Sequence, residues 1–119
     1  MTEASMIAHD FFDDYRDALL SHDSARIAGF YACPALVTFP GNTIAVTDPQ
    51  QTRDFFAGAA QQYADVHDAA FNCTVKLSTA HSVWAEVTWD YVGQAPKEQF
   101  CYQLIKVRDE WLIGVLTPL

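Results

Sequence analysis

Four runs in the second half of the chain decide the fold: AFNCTVKLS at 70–78, VWAEVTWDYV at 83–92, EQFCYQLIKV at 98–107 and WLIGVLT at 111–117. Each run alternates apolar and polar residues, which is the pattern of a β-strand with one buried face. Short turn signals separate the runs, among them Gly93-Gln94-Ala95-Pro96, and no stretch between them is long enough for a helix. Consecutive strands without crossover helices pair antiparallel, so this half of the chain predicts a meander.

The first half of the chain has helical periodicity. Residues 3–21 place apolar side chains on one side and aspartates on the other, which predicts an amphipathic helix. Asp23 is a predicted N-cap of a short second helix that ends before Pro34. That helix is expected to carry three apolar side chains on one face: Ile27, Phe30 and Tyr31.

A third helix has the clearest start signal in the chain. Asp48-Pro49-Gln50-Gln51 combines an acidic N-cap, a proline at the first helical position and a glutamine three residues after the cap. Two short strands, 35–39 and 43–46, precede it around the turn Pro40-Gly41-Asn42. Helices with one apolar face must cover the sheet, so the expected class is α+β. The third helix is expected to bury Phe55, Phe56, Ala59, Ala60 and Tyr63.

Composition restricts the possible partners. The 119 residues, half of them hydrophobic, suffice for one domain (1–119) and not for two. The formal net charge is −8 and the seven basic residues are scattered, which excludes a phosphate-binding face for nucleic acid and disfavours anionic membranes.

Cysteine usage and the N-terminus predict the compartment. Cys33, Cys73 and Cys101 are odd in number and match no disulfide framework or metal-binding spacing. The first residues have no basic segment followed by an apolar run, so neither a signal peptide nor a membrane span is expected. We therefore expect a cytoplasmic protein. No G-x-G-x-x-G, P-loop or G-x-S-x-G motif occurs in the sequence, so no cofactor is expected.

Two of the predicted strands carry large apolar side chains on both faces. In 83–92, the face with Trp89 is opposed by Trp84, and in 98–107 the face with Tyr102 is opposed by Ile105. A solvent-exposed sheet face does not need these side chains, so we expect a homodimer that buries the outer face of the sheet.

The order of these elements resembles the nuclear transport factor 2-like superfamily, in particular its SnoaL-like and ketosteroid isomerase-like branch. The stretches that carry the resemblance are FFDDYRDAL at 11–19, DSARIAGFY at 23–31, TRDFF at 52–56 and EWLI at 110–113. The resemblance implies a cone-shaped α+β barrel, as in cystatin-like folds. In it, a curved antiparallel sheet covered by three N-terminal helices encloses a deep pocket, and two copies pair through the sheet.

The resemblance also suggests and excludes particular chemistry. Tyr15 is similar to the tyrosine with which ketosteroid isomerases hydrogen-bond an oxyanion, and Tyr31 to a second tyrosine in that network. An aromatic residue on the core face of a helix is the alternative, and it is the more common role because aromatic residues dominate protein cores. The aspartate base of those enzymes is replaced here by Phe39, and the stretch 99–103 lacks the second acid, since Glu98 lies just outside it. Steroid isomerisation is therefore not expected.

Other acidic and imidazole side chains are weaker candidates. Glu86 and Asp90 share one strand face and are either a carboxylate pair or a solvated surface. His67 and His81 are either rim bases or exposed histidines. His9 and Asp13 have helical spacing but no third ligand, so no metal site is expected.

These observations lead to two hypotheses of different classes. The first is a pocket protein that binds a hydrophobic, cyclic or aromatic organic molecule, with Tyr15 as hydrogen-bond donor and a possible cofactor-free isomerase, cyclase or lyase activity. The second is a non-catalytic dimerisation or ligand-sensing module whose own side chains fill the cavity. The expected pocket residues are Phe11, Tyr15, Tyr31, Phe39, Phe56, Trp89 and Tyr102.

Overall fold

A computed structural model of the chain describes residues 2–59, 63–92 and 97–119. The predicted order of helices and strands is confirmed. The predicted turn at 93–96 and the predicted burial of Ala60 lie outside the described residues. The elements are α1 (Glu3–Ser21), α2 (Ser24–Ala28), β1 (Tyr31–Phe39), β2 (Asn42–Val46), α3 (Pro49–Ala59), β3 (Asp68–Ser78), β4 (Ser82–Val92), β5 (Glu98–Val107) and β6 (Glu110–Pro118).

The strands form one six-stranded sheet in the order β2-β1-β6-β5-β4-β3. Strands β3 to β6 are the predicted antiparallel meander. Strand β1 runs parallel to β6, with Tyr31 opposite Ile113 and Val37 opposite Leu116, so the sheet is mixed rather than wholly antiparallel. This pairing puts the last strand of the chain inside the sheet and leaves β2 and β3 at its edges.

The second helix is shorter than predicted. It ends at Ala28, because the Gly29 N–H bonds back to carbonyls of its last turn and the chain then extends. The Phe30 carbonyl accepts from the Ile113 N–H at 2.8 Å, and Tyr31 begins β1. The predicted helical placement of Phe30 and Tyr31 is therefore wrong, since sheet pairing with β6 outweighs their helical spacing.

Helix α1 covers the inner face of the sheet. Its buried side chains Ala8, Phe12, Tyr15 and Ala18 repeat every three or four residues, as the sequence predicts. The Phe12 ring lies 4.8 Å from the Tyr102 ring, and the Trp89 side chain beside them is fully buried. None of the described helices has the length and apolar character needed to cross a membrane.

Alternation of buried and more exposed side chains holds along β4 and fails at the end of the edge strand β3. Val83, Ala85, Val87 and Trp89 on β4 are all buried, as predicted. Leu77 on the edge strand β3 was expected on the buried face but is 61% exposed. A register shift between Val75 and Leu77 takes it out of the alternation.

The start of α3 has the predicted capping arrangement. The Asp48 Oδ1 accepts from the Gln50 N–H at 2.7 Å. The Gln51 Oε1 accepts from the N–H groups of Thr47 and Asp48 at 2.7 and 3.0 Å. These bonds satisfy helix-terminal donors and fix the start of the helix that carries Phe55 and Phe56.

We expect Asp48→Ala to lower the free energy of unfolding by about 1 kcal/mol, because the Gln50 N–H loses its acceptor. Asp48→Asn keeps a side-chain acceptor and should stay within a few tenths of a kcal/mol of the wild type. Urea denaturation followed by circular dichroism measures both. Equal stability of the Ala and Asn variants would contradict the role of this cap.

Candidate ligand-binding cavity

A cavity of about 500 Å³ lies between the helices and the helix-covered face of the sheet. All three helices contribute to its wall, as do β1, β4, β5 and β6. The wall is mainly aromatic and aliphatic. A space of this volume, with apolar walls and few polar atoms, has the properties of a small-molecule site.

Five of the seven expected pocket residues line this cavity: Tyr15, Phe39, Phe56, Trp89 and Tyr102. The other two do not. Tyr31 lies behind Tyr15 and is 7% exposed. Phe11 lines a second, more open recess with Phe30 and Trp111. It does so although it lies one turn before Tyr15 on α1, with 6.2 Å between the two ring centroids.

Tyr15 and Tyr31 form a hydrogen-bonded pair with 2.6 Å between their hydroxyl oxygens. Burial raises the pKa of both phenols, so both stay protonated at neutral pH. A pair of neutral phenols shares one proton in its mutual bond and keeps one other O–H proton free. When Tyr31 donates, the Tyr15 O–H is available to an acceptor in the cavity.

Trp89 and Tyr102 form a second buried pair. The Trp89 Nε1–H donates to the Tyr102 hydroxyl at 3.0 Å. An indole nitrogen can only donate, so the Tyr102 hydroxyl accepts here and keeps its own proton. Burial raises the pKa of Tyr102, and the nearby Tyr31 raises it further. The cavity therefore has a second neutral phenol with donor capacity.

Glu98 is a cavity residue that the sequence analysis did not select. The Tyr63 hydroxyl lies 2.9 Å from both oxygens of its carboxylate, and the Tyr91 hydroxyl donates to Oε1 at 2.8 Å. Burial raises the pKa of both phenols, and the hydrogen bond to Glu98 adds to it. Strand alternation could have found Glu98, since it shares the inward parity of Phe100 and Tyr102.

His22, the C-cap residue of α1, also lines the cavity. It has a φ of 58°, and its Nε2–H donates to the Val66 carbonyl at 3.1 Å. No motif distinguishes this histidine in the sequence, because its partner lies 44 residues away.

The remaining acidic and imidazole candidates lie outside this cavity. Glu86 is 3.6 Å from the Lys76 ammonium and Asp90 is 4.0 Å from Lys97, so both are partly solvated surface groups. His9, His67 and His81 are exposed. Among residues 2–59, 63–92 and 97–119, no group of three or more potential metal ligands occurs.

Comparison with protein families identifies the fold. The family model described as NTF2-like protein (DUF6841) matches residues 3–119. The chain belongs to this NTF2-like family. The match confirms the resemblance found in the sequence. No curated protein matches the chain significantly.

Solved structures with the NTF2-like or cystatin-like fold superpose on most of the chain. A protein of unknown function from Nostoc punctiforme superposes with a TM-score of 0.78 at 11% identity. The superposition covers 96% of this chain and 88% of the Nostoc chain. Aln2 from a Streptomyces species has a TM-score of 0.77 at 15% identity, and the superposition covers 100% of this chain and 91% of Aln2. An NTF2-like protein of unknown function from Shewanella oneidensis has a TM-score of 0.74 at 14% identity, covering 96% and 97%. These identities establish a shared fold only.

The tyrosines of this NTF2-like chain provide a test of the cavity wall. All five have a pKa above the ordinary value of about 10 because of burial. The folded state therefore keeps protons that the unfolded chain loses above about pH 10, and stability should fall as the pH rises through that range. Below about pH 10, the tyrosine hydroxyls are protonated in both states and should not change the free energy of unfolding with pH.

Tyrosinate absorbance during an alkaline titration measures this effect. We expect little ionisation in the folded protein at about pH 10 to 11, and full ionisation in guanidinium chloride at the same pH. In the folded protein, ionisation should coincide with loss of the near-ultraviolet circular dichroism signal. Titration of two or more tyrosines near pH 10 with the fold intact would contradict the buried arrangement.

Proposed function

We propose that this chain binds a hydrophobic, cyclic or aromatic organic molecule in the cavity, with Tyr15 donating a hydrogen bond to a carbonyl or hydroxyl oxygen of that molecule. The observation that carries the proposal is an apolar cavity of about 500 Å³ with neutral phenols in its wall. Ligand pockets of proteins have volumes of roughly 300–1,000 Å³ and combine apolar walls with a few oriented polar groups.

The open volume favours a ligand over a self-filled cavity. Phe39, Phe56 and Trp89 are the side chains large enough to fill the space, and they form its walls instead. Phe39 stacks on Phe55 with 5.4 Å between ring centroids, and Phe56 packs on Tyr31 at 5.4 Å. These contacts hold the rings away from the centre of the cavity.

The same wall supports a limited range of chemistry. A phenol that donates to a carbonyl oxygen stabilises negative charge developing there, which suits cofactor-free isomerase, cyclase or lyase reactions. The ketosteroid isomerase route is not supported, because Phe39 occupies the position of its aspartate base and cannot accept a proton. Of the groups in the wall, the Glu98 carboxylate and the His22 imidazole have proton-accepting chemistry.

Binding of 2-acetylnaphthalene tests the proposal. We expect isothermal titration calorimetry and thermal shift to detect binding by the wild type, and about three- to tenfold weaker binding by Tyr15→Phe. Tyr31→Phe is the matched control. It breaks the same phenol pair but leaves the cavity-lining hydroxyl in place, so its affinity should stay closer to that of the wild type.

Filling the cavity gives a second, independent arm of this test. Gly58 lines the cavity, and a Cβ added there meets no atom within 4 Å. Gly58→Leu should therefore reduce binding strongly, whereas Gly58→Ala, which has a similar effect on helix propensity, should retain it. No binding by the wild type, or full binding by both Gly58→Leu and Tyr15→Phe, would refute the proposed site.

We also propose that two copies pair through the outer face of the sheet. Trp84 and Ile105 lie on this face and are only half-buried within one copy. Ile105 packs over Gly114, where its Cδ1 lies 3.0 Å from the position of an added Cβ, so this part of the face is apolar. Such a surface is favourable to bury against a second copy.

Sedimentation velocity tests this pairing. The wild type should sediment with about twice the 13.3 kDa mass of one chain. Trp84→Glu should shift it to a monomer, since a carboxylate would be buried at the interface. Met6→Glu adds the same charge on α1, at a residue that is 52% exposed and lies off the sheet, and should leave the dimer intact. A monomeric wild type would exclude the proposed pairing.

The predicted cytoplasmic location stays a prediction. Cys33, Cys73 and Cys101 have free thiols, and burial raises the pKa of Cys73 to about 11. A thiol with a raised pKa is a poor nucleophile at neutral pH, so Cys73 has the properties of a structural residue.

A further inference from the structure

The carboxylate of Glu98 is held by two phenols at the cavity wall. The Tyr91 hydroxyl donates to Oε1 at 2.8 Å, and the Tyr63 hydroxyl lies 2.9 Å from Oε1 and from Oε2. The Tyr63 and Tyr91 rings pack edge to face with 5.5 Å between centroids, so both donors are fixed by packing as well as by the carboxylate. All three residues line the cavity.

Two phenols do not use all the acceptor capacity of this carboxylate. A carboxylate has about four lone-pair positions, and the two phenols supply two protons. Both phenols are within hydrogen-bonding distance of Oε1. Among the residues that the structure describes, Oε2 has the shared contact with Tyr63 alone. Because Glu98 lines the cavity, Oε2 can accept a further hydrogen bond from a ligand there.

The protein supplies no cation to this carboxylate within the described ranges. Every ion pair found in residues 2–59, 63–92 and 97–119 involves an acidic side chain other than Glu98. Arg16 is the guanidinium in the cavity wall, and its nitrogens lie 3.0 Å from Asp13 and 3.6 Å from Asp17. The Glu98 charge is therefore stabilised by hydrogen-bond donors alone, and a ligand donor would add to that stabilisation.

We propose that Glu98 is a specificity-determining residue of the cavity, where its carboxylate accepts a hydrogen bond from a hydroxyl or amine of the ligand. The inference rests on the proposed function and extends it to a substrate class. The ligand has a hydrogen-bond acceptor for the phenols of Tyr15 and Tyr102 and a separate hydrogen-bond donor for Glu98. A ligand that has a carboxylate in place of that donor is repelled by the negative charge of Glu98.

A series of naphthyl ketones of one size tests the substrate class. It consists of 6-acetyl-2-naphthol and 6-acetyl-2-naphthylamine, which have a donor, and 6-methoxy-2-acetylnaphthalene and 6-acetyl-2-naphthoate, which do not. In calorimetric titrations at slightly acidic pH, where the naphthol is neutral, we expect each donor compound to bind about tenfold or more tightly than the methoxy compound. The naphthoate should bind most weakly.

Variants assign the preference to Glu98. Glu98→Gln keeps the shape and can still accept from the phenols, but removes the charge that strengthens the ligand bond. It should reduce the preference for donor compounds to about twofold or less and restore part of the naphthoate affinity. Asp90→Asn is the matched control, since it removes one negative charge from β4 at a side chain that is 66% exposed and lies 4.0 Å from the Lys97 ammonium. It should keep the wild-type preference.

The outcomes separate this inference from the proposed function. Equal binding of the donor and methoxy compounds by the wild type overturns the role of Glu98 while leaving the cavity as a binding site. An undiminished preference for donor compounds in Glu98→Gln also overturns the role of Glu98 in ligand specificity. Glu98 would then have only a structural role, as the hydrogen-bond acceptor for Tyr63 and Tyr91. Failure of all four compounds and of 2-acetylnaphthalene to bind refutes both. Equal binding in the wild-type series overturns the role of Glu98 even when Glu98→Gln does not fold.

Discussion

The packing of helix α1 on Trp89 and Tyr102 is the contact on which the rest of the structure depends. Phe12 and Tyr15 lie one helical turn apart and meet rings from two neighbouring strands, with centroid distances between 4.8 and 6.4 Å. Burial of each such ring contributes about 1.5–3 kcal/mol, so the contact is a large part of the stability of a domain of this size. Three of these rings, Tyr15, Trp89 and Tyr102, also line the cavity, so the same packing positions part of the cavity wall.

The polar groups of the wall are arranged in three hydrogen-bonded sets: Tyr15 with Tyr31, Trp89 with Tyr102, and Glu98 with Tyr63 and Tyr91. A buried hydroxyl or carboxylate without a partner would cost several kcal/mol, so each group needs a protein contact when no ligand is bound. Each set nevertheless keeps one donor or acceptor position free. The cavity is thus stable when empty and retains directional groups for a ligand, which is the arrangement that orients small molecules.

Fold similarity does not assign the reaction. The superposed structures share 11 to 15% of their residues with this chain, and the NTF2-like fold has many functions. The individual positions are more informative. By the resemblance to ketosteroid isomerases, Phe39 stands where their aspartate base is expected. Glu98 places a carboxylate at the start of β5 with two phenol donors. The chemistry of this cavity therefore has to be derived from its own residues.

Local sequence patterns were enough to predict most of the helices and strands and the inward-facing residues of the sheet. Alternation in 83–92 and 98–107 and helical spacing in 3–21 are local periodicities, and burial follows them directly, so Trp89, Tyr102 and Tyr15 were found in advance. The family resemblance then supplied the expectation of a pocket. Four features became visible only in the folded chain. Two concern the sheet: the parallel pairing of β1 with β6, and the position of Tyr31 in β1 rather than in α2. The other two are the placement of Phe11 in a separate recess and the hydrogen bonds from Tyr63 and Tyr91 to Glu98. Each of these depends on groups that are distant in sequence and that meet only after the sheet has formed, so no local pattern encodes them.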